Sequence, residues 1–154
     1  EKIGVGAIRY NIIKVQPEKS IVFKWEEALN FEGNSAPFIQ YSHARASSII
    51  KKYGKQIKLD NKIEITHTSE TNLIKKIGEL PEIINQASKE FKPHLIAFYL
   101  YEFASDFNQF YRDCPVLSEE NQKIKETRLK IVAAAKIAIK NGLKILGIEA
   151  LDEM

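Results

Sequence analysis

The sequence holds a single cysteine, Cys114, and a single thiol can close neither a disulfide framework nor a thiolate metal site within the chain. The expectation for it is a buried structural side chain. Histidine is nearly as scarce, and His43, His67 and His94 stand too far apart in sequence to form a local metal site. No GxGxxG or GxxxxGK loop is present, and the short GVG at 4–6 follows no strand. His43 has no serine, cysteine or carboxylate at a spacing that would build a catalytic triad. Long apolar runs are missing too. LIAFYLYEFA at 95–104 is the longest, short of the roughly 18 residues a membrane span needs, and no basic leader with a small-residue cleavage site is present, so a cytoplasmic chain is expected. The two signs of charge nearly balance, at 23 lysines and arginines against 20 acids, which permits an anionic partner without demanding one.

What is there suits one folded domain. A chain of 154 residues with 44% hydrophobic and 28% charged side chains can build a single core without a metal or disulfide. The sole methionine is Met154 and position 1 is glutamate, so the chain reads as a piece of a longer protein. Hydrophobic spacing points to helices almost throughout. One helical stretch covers 2–15, and QPEKS ends it. A short element lies around Trp25 to Phe31, and EGNSAP then makes a turn in which Ser35 or Ala36 precedes Pro37 at a first-turn position. The helix that follows runs to about Tyr53. Residues 54–66 alternate in KLDNKIEIT, which supports either a short hairpin arm or a basic loop. Ser69 caps a helix through about Gly78, Pro81 opens another through about Lys89, and Pro93 opens a long one through about Cys114. Ser118 caps the last, which ends at the Asn141-Gly142 pair. The expected fold is therefore an all-α bundle of about five helices.

Wheel geometry divides APFIQYSHARASSIIKKYGK, residues 36–55. Phe38, Ile39, Ser42, His43, Ala46, Ile49, Ile50 and Tyr53 share one broad arc, which is the buried face, with His43 at its edge. Tyr41, Arg45, Ser48 and Lys52 form a separate polar stripe at spacings of four, three and four. An aromatic face can stack on an unpaired base, and the neighbouring cations can neutralise phosphates. On this helix alone the stripe also fits a solvated surface in which Tyr41 merely covers its neighbours. Two further features favour nucleic acid. Between Phe38 and Lys62 six basic residues (Arg45, Lys51, Lys52, Lys55, Lys58, Lys62) face one acid, Asp60. The helix after Pro93 also carries Phe98, Tyr101, Ser105, Asn108 and Arg112 opposite its apolar face.

GVGAIRYNII, FKWEEALNFEGNSAPFIQYSHARASSIIKK, FNQFYRDCPVL and TRLKIVAAAKIAIKNGLKILGIEALDEM, in that order, resemble the C-terminal part of the arginyl-tRNA synthetase family. The resemblance spans nearly the whole chain and is weakest over 54–92. It implies a helical DALR-type anticodon-binding domain at 35–154, preceded at 1–34 by a segment connecting it to a catalytic body. No HIGH-like or KMSKS-like sequence occurs here, so the resemblance places arginine activation with ATP and magnesium in the full-length enzyme and expects no cofactor in this piece. It implies arginine tRNA as partner, with anticodon contacts from Tyr41, Arg45, Asn108, Tyr111 and Met154. The wheel selects Tyr41, Arg45 and Asn108 independently but puts Tyr111 at the margin of the core. Backbone contacts are expected from Ser48, Lys51, Lys52, Lys55, Lys58, Lys62 and Arg112. The family's usual proline before the last residues is replaced by the ALDEM ending. Alternatives outside this family are a non-catalytic helical module that binds a protein or structured RNA, and a purely structural bundle.

Overall fold

A computed structural model describes residues 1–57 and 63–154, and the statements below concern those residues. Six helices follow one another: α1 Lys2–Ile13, α2 Trp25–Ala28, α3 Ala36–Tyr53, α4 Thr68–Glu90, α5 His94–Asp113 and α6 Gln122–Ile145. The described residues 54–57 and 63–66 form no strand, and 58–62, on which the rest of a hairpin would fall, lie outside the described residues. No helix among the described residues is long and apolar enough to cross a membrane.

Helix α5 is the axis of the bundle because it is the most aromatic segment. Leu100, Phe103, Phe107 and Phe110 recur at spacings of three and four and are fully buried, and α1, α3, α4 and α6 all pack against this helix. Burial of side chains this large is worth roughly 1.5–3 kcal/mol each, which makes α5 the main source of core stability. Tyr10 joins α1 to the same core: it is fully buried, and its hydroxyl donates to the Ala97 carbonyl at 2.9 Å. Cys114 is buried as expected, and burial pushes its thiol up to about 11.

Local signals set the start of α3. The Ser35 side-chain oxygen accepts from the backbone N–H of Phe38, and Pro37 sits in the first turn, where its missing N–H costs nothing. Elsewhere local signals mislead. The break expected between Gly78 and Pro81 does not occur, because α4 runs unbroken through Pro81. Leu73, Leu80 and Ala87, seven residues apart, keep one buried face on both sides of the proline. Pro81 itself lies on the exposed side, so the carbonyl it leaves without a helical donor can reach water. The cap of α4 is His67, not Ser69: His67 Nδ1 accepts from the Ser69 N–H while Glu70 reaches back to the His67 N–H. Asn121 rather than Ser118 caps α6, accepting from the N–H groups of Lys123 and Ile124.

Glu70 has a second task. Its other carboxylate oxygen accepts from Arg128 Nε at 2.6 Å, and Arg128 Nη1 reaches Glu119 Oε2 at 2.7 Å and the Pro115 carbonyl at 2.8 Å. Burial opposes the charge on Glu70, but the Arg128 guanidinium and the N–H groups of Thr66 and His67 outweigh it and hold the carboxyl below its usual range. One guanidinium thereby fastens the start of α4, helix α6 and the loop between α5 and α6.

Helix α6 does not stop at Asn141-Gly142 but continues to Ile145, and Gly147 takes the left-handed turn at φ +68. Gly142 is instead an interior contact, since a Cβ there would come within 2.5 Å of Leu100 Cδ2. Two effects then compete in Gly142→Ala. Helix propensity favours alanine by up to about 1 kcal/mol. Overpacking against a fully buried leucine costs about 1–3 kcal/mol. A net loss of stability is expected in urea denaturation, and a variant as stable as the parent would show that α5 and α6 are looser than described.

Candidate nucleic-acid interface

Between α3, the loop after α5 and residues 152–154 lies an open groove of about 990 Å³. Tyr41, Arg45, Ser48 and Lys52 line it from α3, Tyr111 and Arg112 from the end of α5, Val116 and Leu117 from the loop, and Met154 from the tail. The polar stripe of the wheel is thus the floor of a concave surface. Its centre is Arg45, whose guanidinium carbon lies 4.7 Å from the centroid of the Tyr41 ring and 4.6 Å from that of Tyr111. Both rings remain accessible, at 40% and 43% exposure. Arg45 Nη1 donates to Asn108 Oδ1, and Asn108 Nδ2 donates to Ser42 Oγ at 3.0 Å. The two rings and this amide chain fix the guanidinium from three sides, so little side-chain entropy remains to be lost on binding.

Two placements differ from the wheel. Asn108, assigned to the outer stripe of α5, is 6% exposed, because α3 covers that side of the helix. Tyr111, assigned to the core margin, is on the rim at the end of α5, its ring half-exposed with the Arg45 guanidinium of α3 against it. Of the expected backbone-binding cations, Lys51, Lys52 and Arg112 line the groove with Ser48. Lys51 is paired with Glu153, both side chains being 77% exposed, so the pair is weak and easily exchanged for a stronger anion. Arg112 donates to Gln109 Oε1 at 2.6 Å. Lys55 lies apart, in a smaller cleft with Tyr53, Gln122 and Glu126, and Lys58 and Lys62 lie outside the described residues.

Met154 reaches the groove because the tail is tied to α3 along its length. Gln40 Nε2 donates to the Glu149 carbonyl at 2.8 Å, His43 Nδ1 to the Leu151 carbonyl at 2.7 Å, and Ser47 Oγ to Asp152 Oδ1 at 2.7 Å. Lys51 and Glu153 complete the line, and Lys136 of α6 holds Asp152 from the other side at 2.9 Å. His43, far from being a catalytic group, is a clamp for the tail. The sequence reading missed Gln40, Ser47 and Lys136 as partners of this tail. The one signal was a row of hydrogen-bonding side chains at 40, 43, 47 and 51, running along the edge of an otherwise apolar face. No group of three or more His, Cys, Asp or Glu side chains that could hold a metal occurs among the described residues.

A helical bundle with a stacking and cationic groove at one end defines the class, an all-α domain with a face suited to an unpaired, anionic strand. Residues 39–154 match the model of the DALR anticodon binding domain, and the chain belongs to that family. It is 50% identical over its whole length to an arginine–tRNA ligase of Pyrococcus abyssi and 47% identical to one of Methanosarcina acetivorans. It spans 25% and 28% of those two proteins. The solved arginyl-tRNA synthetase of Thermus thermophilus superposes with a TM-score of 0.93 at 33% identity, covering 99% of this chain and 27% of that one.

The tail should let go in acid. The hydrogen bonds from Lys136 and Ser47 hold the Asp152 carboxyl down at about 2, against an ordinary 3.8, and burial holds His43 below its ordinary 6.5. The Leu151 carbonyl and Asp152 act against that burial, so the acid-dependent hold of the tail rests on Asp152, whose carboxyl takes up a proton more readily when undocked. Docking is therefore at full strength above pH 3.8 and weakens as pH falls from 3.8 to about 2 through Asp152. Hydrogen exchange of the 149–154 amides should show protection falling in that window, and Lys136→Gln should move the transition upward. Protection independent of pH down to 2 would refute the clamp.

Proposed function

We propose that this chain is the anticodon-reading part of a longer arginine–tRNA ligase, recognising arginine tRNA for ATP-dependent aminoacylation by a catalytic domain outside it. The observation that carries the reading is the Arg45 guanidinium held between the Tyr41 and Tyr111 rings at the floor of an open groove. Unpaired loop bases are read by stacking on aromatic or guanidinium planes and by hydrogen bonds to their edges. Here Tyr41, Arg45 and Tyr111 supply the planes and Met154 an apolar edge. Asn108 acts through Arg45, because its amide groups are already engaged. Every arginine codon has G in the middle, so every arginine anticodon has C in the middle. A cytosine amino group asks for an acceptor, and the Asp152 and Glu153 carboxylates on the tail side of the groove are of that kind. Lys52, Arg112 and Lys51, once released from Glu153, neutralise the flanking phosphates, Ser48 donates a hydrogen bond to them, and Lys55, Lys58 and Lys62 are proposed for the same phosphate-binding role. Residues 1–34 connect the domain to the catalytic portion, where ATP and magnesium are used.

In the full-length protein, Tyr41→Ala removes one stacking plane worth about 1–3 kcal/mol, so arginine tRNA should bind roughly 5- to 150-fold more weakly. Aminoacylation should fall mainly through the apparent KM for tRNA, with the ATP and arginine dependence unchanged. Replacing the middle anticodon C should weaken wild type by a comparable factor and add little to the variant. Equal binding of the two tRNAs by wild type would sink the reading.

A further inference from the structure

A second concave surface lies where α1 meets the end of α6 and the start of the tail, a cleft of about 780 Å³. Lys2, Arg9, Lys140 and Lys144 line it against two acids, Glu1 and Glu149. The internal pairing leaves its cations unequally used. Along the tail each acid has its own lysine: Glu149 has Lys2, Asp152 has Lys136 and Glu153 has Lys51. Lys140 and Lys144 are exposed, one helical turn apart on α6, and make no ion pair among the described residues. Arg9 donates from Nη1 to the Gly147 carbonyl, which leaves further N–H groups of its guanidinium for another acceptor. Arg9, Lys140 and Lys144 therefore stand together at this cleft without an acidic partner among the described residues.

Its lining separates it from the first groove. No aromatic side chain lines it, so it has no plane on which a base could stack. A ligand here presents anionic groups and keeps its bases elsewhere, which describes the phosphates of a paired stem. The two surfaces border opposite ends of one strap, Gly147 at the cleft and Met154 at the groove. Seven residues of extended chain span at most about 25 Å, so one RNA hairpin can reach both.

The geometry points to a second RNA site in which Arg9, Lys140 and Lys144 bind the phosphate backbone of the paired stem, while the Tyr41–Arg45–Tyr111 groove holds the loop. This rests on the anticodon-reading function and adds to it a duplex-backbone contact that carries no sequence information. It divides the binding energy into a stacking part, little affected by salt, and an electrostatic part that salt removes.

The test uses the full-length protein, the double variant Lys140→Gln, Lys144→Gln, and two RNAs: the anticodon stem-loop of arginine tRNA and a single-stranded oligonucleotide of the loop alone. Both lysines are exposed, so the fold is not at risk. Each phosphate contact contributes about 0.9 to the logarithmic salt slope. The variant should bind the stem-loop severalfold more weakly at low salt, with the slope reduced by about 2, and should bind the loop oligonucleotide as wild type does. An unchanged stem-loop slope overturns the proposal, and so does an equal loss on both RNAs, which would mean a diffuse field. Failure of wild type to bind either RNA would instead strike the anticodon-reading function itself. Tyr41→Ala supplies the converse control, losing affinity for both RNAs with the salt slope kept.

Discussion

Helix α3 has to satisfy two different neighbours with one cylinder, and the rest of the domain's working surface depends on how it does so. Its residues at 40, 43, 47 and 51 hold the tail, while those at 41, 45, 48 and 52 floor the groove. The two rows lie roughly 125° apart around the helix, so neither can slide without disturbing the other. A tail gripped in this way becomes a fixed wall, and that is what turns a convex helix into one side of a concavity. The order of strengths also fits. His43 and Ser47 are buried and their bonds are protected, whereas the Lys51–Glu153 pair at the open end is exposed and cheap to break. The strap is firm along the buried part of α3 and loose at its open end beside the groove.

Opposite the tail, the loop after α5 is held by Arg128. Its guanidinium meets the Pro115 carbonyl and the Glu119 carboxylate, the two flanks of the segment containing Val116 and Leu117. Glu70 faces the same arginine from α4 and is itself engaged in capping that helix. Removing either partner of so buried a pair typically costs about 3–5 kcal/mol, because the other charge is left without compensation. The groove's second wall is thus tied to the helix framework by one well-satisfied ionic node.

Much of this was legible in the sequence, and what was not has physical causes. The aromatic repeat of α5 and the Ser35–Pro37 start of α3 are local signals, and both hold. The division of α3 into an inner arc and a Tyr41–Arg45–Ser48–Lys52 stripe needed only helical periodicity. Pro81 and Gly142 misled because tertiary contacts override propensity: a continuous apolar face carries α4 past the proline, and Leu100 uses the space that Gly142 leaves. Asn108 and Tyr111 exchanged places relative to the wheel because a wheel shows which residues share a face but not which neighbour covers it. The tail was least legible, since its partners on α3 lie more than 100 residues away in sequence.

The identity of residue 45 follows from the geometry of the groove. A lysine there would place a compact, strongly hydrated charge between two rings, and its single nitrogen could not lie flat against both and also reach Asn108. Arginine does all three, because its plane stacks while its edge donates. The same guanidinium keeps N–H groups beyond the one given to Asn108. The residue that organises the groove is therefore also the centre of the proposed RNA site, and its plane is ordered before any ligand binds. This pre-organisation accounts for the depth at which Asn108 is buried: an amide exposed to water would hold Arg45 too weakly to keep the plane in register between Tyr41 and Tyr111.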